Sequence, residues 1–395
     1  MRHSDRRLGL DLFRVLAALG VMTAHFLAHL HQYSGVPLER VDRWNFVDFF
    51  FVLSGFVLAE AYADKVGRPA LYYDFLWARF ARLYPLHAAT ILALILIGVA
   101  ATMAGYRIRV PDGFDPRLAP HNLFLLHAWN VTSGPSLNSP SWSLSAEAFL
   151  LLLFPALVAI SARLRVAGSI ALIVACAAVL HVWRACAGMT PWTEATWDFG
   201  ALRALPSFFA GIAVFRFVEA HPGWRVSGVT TAMFGAATLT MILADAPQEV
   251  TLAAFPLLLL CAATTDFGRF RDSVATKAVR FLSELTFGTF LLHTFVGLAL
   301  VQAVRVLGSP HPATIAAMIV AACVASLAVA WFVNRRFKAP LRQWLRRRGP
   351  PALPPMRETE PSGLVASAAA HVYLVPAGAL VLVLAGMRIA SALTN

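Results

Sequence analysis

Charge is scarce in this 395-residue chain: charged residues make up 14%, against 58% hydrophobic. A soluble globular protein carries about 25% charged residues and has no way to hide so much apolar surface. Acidic residues are scarcer still, 21 against 33 Lys and Arg, which gives a formal charge of +12. In a soluble chain that excess suggests a nucleic-acid partner; in a membrane chain it reflects cytoplasmic loops. Cysteine is almost lacking. Cys176, Cys186, Cys261 and Cys323 lie in or beside apolar runs and form no C-x-x-C pair, which argues against a disulfide framework and a zinc knuckle. No small-residue cleavage pattern closes the first apolar run, so Arg2, Arg6 and Arg7 precede a retained helix and not a signal peptide. Internal repeats and heptad arrays are also missing.

What the chain does have is a series of long apolar runs. A hydrocarbon core of about 30 Å asks for about 20 apolar residues per helix. Eleven segments qualify: 8–30, 45–63, 84–104, 142–161, 168–187, 200–218, 227–244, 250–265, 282–307, 313–334 and 364–387. The fold class is therefore all-α, a polytopic transmembrane bundle of about ten core helices plus one C-terminal helix. With the N-terminus cytoplasmic, most Lys and Arg residues fall on the inner side, from Arg2 and Lys65 to the run Arg346, Arg347 and Arg348. The positive charge then records orientation, and no nucleic-acid partner is expected. A Pro- and Arg-rich stretch at 346–363 divides the ten-helix region, 1–345, from the final helix and short tail, 364–395. The longest outer loop, 105–141, carries five prolines with His121 and His127 and reads equally as an entrance or as a plain connector.

Function is sought among titratable groups inside the bilayer, where each is costly unless paired or hydrated. Asp11, Arg14 and His25 share a face of the first helix: the eleven steps from Arg14 to His25 turn it by about 1100°, close to three revolutions, and rise about 16 Å. The alternative is an i,i+3 surface pair at the inner end and a packing histidine above it. Counting from helix ends, His25 and Glu147 lie at similar depth below the outer surface, and Asp48 and Arg203 begin descending helices in the same layer; scattered outer-end charges would look alike. Arg79 and Arg82 lie one turn apart just before the third helix, a geometry that suits a phosphate or pyrophosphate, although two arginines beside a membrane helix are more often positive-inside determinants. His293 is mid-helix, with structural and functional readings even. No carboxylate stands at ligand spacing beside His25, His29 and His31, so no metal is expected.

With those residues in view, the chain resembles the bacterial integral-membrane acyltransferase family 3 over roughly residues 8–345. The opening match is L-D-L-F-R-V-L-A-A-L-G-V-M-T-A-H at 10–25, where the family's Arg and His fall on Arg14 and His25. D-F-F-F-V-L-S-G-F-V at 48–57 is similar to the second-helix signature and includes Gly55 and Phe56. R-F-A-R-L-Y-P at 79–85 looks like the paired-arginine motif, and S-W-S-L-S-A-E at 141–147 like the Trp-Ser-Leu-x-x-Glu element. Weaker matches are R-A-L-P-S-F-F-A-G at 203–211 and F-G-T-F-L-L-H at 287–293.

The resemblance implies a multi-pass enzyme of the bacterial cytoplasmic (inner) membrane. It would move an acyl group, commonly acetyl, from cytoplasmic acyl-CoA (acetyl-CoA) to a hydroxyl of a carbohydrate or lipid-linked glycan, with membrane lipids around it. The catalytic set is then His25 as base, Glu147 as the carboxylate holding its tautomer, and Arg14; direct attack by His25, giving an acyl-imidazole, is the variant. Arg79, Arg82 and Arg14 would hold the CoA phosphates, and Gly55 with Phe56 would let the cofactor approach closely. Asp48, Trp142, Ser143, Arg203 and His293 complete the substrate set. Helix-packing glycine and interfacial tryptophan are the plain readings of Gly55 and Trp142. A transporter exporting a sugar or lipid is the alternative from another class; it should show inverted repeats and broken helices, and the sequence has neither.

Overall fold

The computed structural model describes residues 3–34, 44–65, 69–106, 113–267, 273–308 and 311–349. Among them the protein is helical throughout, with one isolated β-bridge between Val226 and Thr265 and no strand. The ten expected core helices are present: α1 His3–Ser34, α2 Phe46–Tyr62, α3 Pro69–Met103, α5 Trp142–Arg163, α6 Val166–Cys186, α7 Gly200–Ala220, α8 Gly228–Leu243, α9 Gln248–Thr264, α10 Val274–Leu307 and α11 Pro312–Val333. A short α4, Ala119–Leu123, lies in the long loop, and a π-helical turn, Asn334–Lys338, links α11 to α12, Ala339–Arg348. Among the described residues, seven helices are long and apolar enough to cross a membrane, and α8 and α9 are shorter apolar helices. The expected linker boundary at 346 falls inside α12; the final helix at 364–387 lies outside the described residues.

Large apolar side chains face outward along α6 (Ile170, Val174, Val179, Val182) and α3 (Leu92, Leu96, Ile97, Val99). Water would penalise such faces, whereas hydrocarbon accepts them, so the protein is a multi-pass membrane protein. Inside, helices approach closely where small residues allow it. A Cβ on Gly55 of α2 would overlap the carbonyl oxygen of Phe208 on α7, and one on Gly211 of α7 would overlap that of Val52 on α2. These reciprocal glycines bring two backbones together without a hydrophobic driving force between helices in lipid.

The main core gathers Phe49, Val52, Phe56, Phe154, Phe208 and Phe255 from α2, α5, α7 and α9. A second cluster, with Met22, Phe26, Leu30, Leu300 and Ile319, joins α1 to α10 and α11. Helix α1 is thus the seam between the two, and its buried face runs past α2 on one side and α10 on the other.

Two sequence expectations change here. The third helix begins at Pro69 and not at 84, so Arg79 and Arg82 lie inside it; it continues through Pro85, which lacks the N–H that would bond one turn back. The long loop is no plain connector. Asn122, His127, Asn138 and Ser141 are buried, and Asn138 donates to the carbonyl of Leu291 at 2.9 Å and accepts from Thr294 at 2.9 Å, tying the loop to α10 on either side of His293.

Candidate active site

Two cavities lie along α1. The first, about 140 Å³, is lined by Arg14, Arg79, Arg82 and Glu147, with Ser143 and an aromatic wall of Phe50, Phe51, Phe287 and Phe290. The second, about 100 Å³, is lined by His25, Trp44, Asn45, Trp142, Glu194 and Arg203. Val47 and Phe290 line both and form the partition between them.

In the histidine cavity, Nδ1 of His25 is 2.8 Å from Nε2 of His293. Nδ1 of His293 is in turn 3.2 Å from the carbonyl oxygen of Thr289. This chain has one consistent proton arrangement for two neutral rings. A carbonyl only accepts, so His293 donates from Nδ1 and its Nε2 is left as an acceptor. His25 must then donate from Nδ1, and its own Nε2 carries the lone pair. No hydrogen bond ties that Nε2 to another described residue, and His25 is partly accessible. The arrangement fixes the ring and presents a base to the cavity.

Arg203 reaches the same cavity on a rigid mount. Its Nη2 pairs with Asp48 Oδ2 at 2.5 Å and donates to Asn45 Oδ1 at 3.0 Å, its Nη1 donates to the Ala195 carbonyl at 3.1 Å, and its Cζ lies 5.3 Å from the centre of the Trp142 ring. Asp48 and Arg203 are 0% and 4% exposed, so the pair is deeply buried and the two charges depend on each other.

The arginine cavity is different in character. Arg79 and Arg82 are one turn apart and half-buried, and form no ion pair or hydrogen bond with another described residue. Glu147 is close enough to act on both electrostatically. Arg14 is tied more tightly: Nη1 donates to Ser283 Oγ at 3.3 Å and pairs with Asp11 at 3.4 Å, while Ser283 donates to Asp11 at 2.6 Å.

Several sequence expectations are corrected by these placements. Glu147 does not hold the His25 tautomer: the two share no hydrogen bond and line different cavities, and His293 occupies the orienting position. Depth counting failed because α5 does not start at the surface. Its first residue, Trp142, is buried beside Asn138 and Ser141 beneath the long loop, so five residues on, Glu147 is already past the partition. Arg14 stands with Arg79 and Arg82, away from His25. Gly55 is a helix-packing position and Phe56 is core, edge-on to Phe215 at 6.1 Å; neither lines a cavity. Ser143 lines the arginine cavity and Asp48 supports Arg203 without lining either cavity. His293, fully buried, touches His25 and not the cavities. Trp142 and Arg203 line the histidine cavity. Sequence reasoning missed Asn45, Glu194 and the loop residue Asn138, which carry no motif.

A family model described as an acyltransferase domain matches residues 7–335. The chain belongs to acyltransferase family 3. It is similar to Acyltransferase MdmB of Streptomyces mycarofaciens, with 28% identity over 313 residues, 73% of this chain and 77% of that protein. It is also similar to Protein 2 in picA locus of Rhizobium radiobacter, with 34% identity over 154 residues, 36% of this chain and 78% of that protein. No solved structure gives a significant match. Family 3 membership makes the protein a membrane acyltransferase, and both cavities lie within the matched span.

Proposed function

We propose that the protein is a membrane O-acyltransferase of the bacterial inner membrane, with its N-terminus cytoplasmic. It takes an acyl group, acetyl in the simplest case, from cytoplasmic acyl-CoA and places it on a hydroxyl of a carbohydrate or lipid-linked glycan. The observation that carries this reading is the pairing of a base-presenting histidine cavity with a cation-lined cavity across a thin partition, Val47 and Phe290.

In this reading the CoA diphosphate meets Arg79 and Arg82, which are free to make charge-assisted hydrogen bonds. The pantetheine arm runs along α1, whose rise from Arg14 to His25 is about 16 Å. The thioester arrives beside the partition. An acceptor hydroxyl bound between Trp142 and Arg203 gives its proton to Nε2 of His25 as its oxygen attacks the thioester carbonyl. The C–S bond then breaks, and the departing thiolate takes the proton back from the imidazolium. His293 holds the ring and accepts the Nδ1 hydrogen bond throughout, a role a carboxylate has in other histidine sites. Glu147, close to both arginines, positions the donor side instead of the base.

The test is incubation of the purified protein in liposomes with acetyl-labelled acetyl-CoA, with and without glycan or lipid-linked glycan acceptors. Label should move to the acceptor as an ester. Vectorial movement of an unmodified glycan, with no label transferred, would favour a transporter and overturn the reading.

A further inference from the structure

More cations gather at the arginine cavity than the sequence motif supplies. Phe287 lines that cavity, and Lys338, the last residue of the π-helical turn, places its Nζ 4.7 Å from the centre of the Phe287 ring. Helix α12 packs against α3, and Arg342 comes within electrostatic reach of Arg79, Arg82 and Lys338. Lys338 and Arg342 are four apart, so they present one face. The π turn matters for that face. A π turn acts as a one-residue insertion, which rotates the downstream residues by about 100° relative to a continuous helix, and such turns concentrate at functional sites.

The cluster is unbalanced. Among the described residues, Glu147 is the carboxylate that acts on Arg79 and Arg82, while Arg14, Asp11 and Ser283 are engaged with one another. Nε of Arg342 is buried without a hydrogen-bond partner among the described residues, and Lys338 has no ion pair there. A buried guanidinium donor with nothing to meet it is costly unless a ligand supplies the acceptor. Lys338 and Arg342 do not line the cavity themselves, so an anion held by them lies at its edge, beside Phe287.

We propose that Lys338 and Arg342 form a phosphomonoester subsite that binds the ribose 3′-phosphate of CoA, one ribose away from the diphosphate held by Arg79 and Arg82. This rests on the acyl-CoA reading above. The 3′-phosphate carries about two negative charges near neutral pH, which suits a compact ammonium beside a guanidinium fork. The subsite makes the donor site selective for CoA over carriers that share its thiol arm and lack the 3′-phosphate.

Titration of the purified full-length protein with CoA and with dephospho-CoA tests the assignment. Wild type should bind CoA at least tenfold more tightly than dephospho-CoA. Lys338→Gln/Arg342→Gln should weaken CoA tenfold or more and leave dephospho-CoA unchanged, so that the two ligands converge; Arg342→Lys should retain part of the preference and serves as the folded control. Equal weakening of both ligands, or no change in either, would overturn the subsite while leaving the acyl-CoA reading in place. Failure of wild type to bind either ligand would overturn both. A lipid phosphomonoester is the other source of the same chemistry. If phosphatidic acid in neutral nanodiscs stabilises wild type but not the double variant, and CoA preference is the same in both, the subsite belongs to the lipid and the proposal fails.

Discussion

Nε2 of His293 accepts from Nδ1 of His25 across 2.8 Å, and the two rings are within 8° of parallel. His293 therefore fixes both the plane and the tautomer of the ring that faces the cavity. His293→Ala should lower turnover about 10–100-fold while donor affinity stays near wild type, the pattern for a residue that positions another. His293→Gln, whose side-chain carbonyl can accept the same hydrogen bond, should recover a substantial part. Equal losses in the two variants, or a loss confined to donor affinity, would remove His293 from this role.

Glu147 faces the arginines and not the imidazole. Glu147→Gln should consequently change the KM for acyl-CoA several-fold and leave kcat within about tenfold, because the proposed proton transfer at His25 does not pass through it. Steady-state kinetics with the donor varied at saturating acceptor decides this. Abolition of kcat with donor binding intact would return Glu147 to the base.

The Asp48–Arg203 pair is buried on both sides, and breaking it leaves an uncompensated charge. Asp48→Asn should cost about 3–5 kcal/mol of stability, read as a lowered unfolding midpoint in detergent. Replacing both partners, Asp48→Leu with Arg203→Met, should restore much of the stability but not activity, since Arg203 also lines the histidine cavity. Recovery of activity together with stability would make the pair purely structural.

His127 lies in the long loop outside the membrane spans, where burial and the neighbouring His87 push its imidazole down to about 4. It donates or accepts at Ser141 Oγ over 3.0 Å. The unfolded chain, titrating near 6.5, binds the proton more readily than the folded one, so stability is full above about pH 6.5 and falls as the pH drops toward 4. The loss is at most about 3 kcal/mol. Unfolding midpoints in detergent at pH 7 and pH 5 should therefore separate less for His127→Gln than for wild type. Identical separations would show that the loop is not held by a neutral histidine.

The helices were legible because each carries a sustained apolar run, a property local to the segment, even where, as in α8 and α9, the helix is short. Arg79 with Arg82 was legible for a similar reason, since i,i+3 spacing fixes a shared face whatever the neighbours do. The partner of His25 was not. Depth along a helix can be counted from sequence, but which helix faces which depends on packing, here on α1 lying against α10 and on the glycine contacts between α2 and α7. Glu147 misled because a loop covers the start of α5, and Gly55 because a glycine that admits a ligand and one that admits a helix look the same in sequence. Lys338 and Arg342 do not stand out in sequence from the other inner-side cations, and the π turn that aims them has no sequence signature.

In the proposed mechanism Nε2 of His25 is the base that moves the acceptor proton. The deciding measurement is single-turnover transfer from acetyl-labelled acetyl-CoA in native membranes, with CoA binding measured on the same preparation of His25→Ala. Donor binding should stay like wild type while transfer falls at least about 10³-fold. Transfer within a few-fold of wild type would remove His25 from the chemistry.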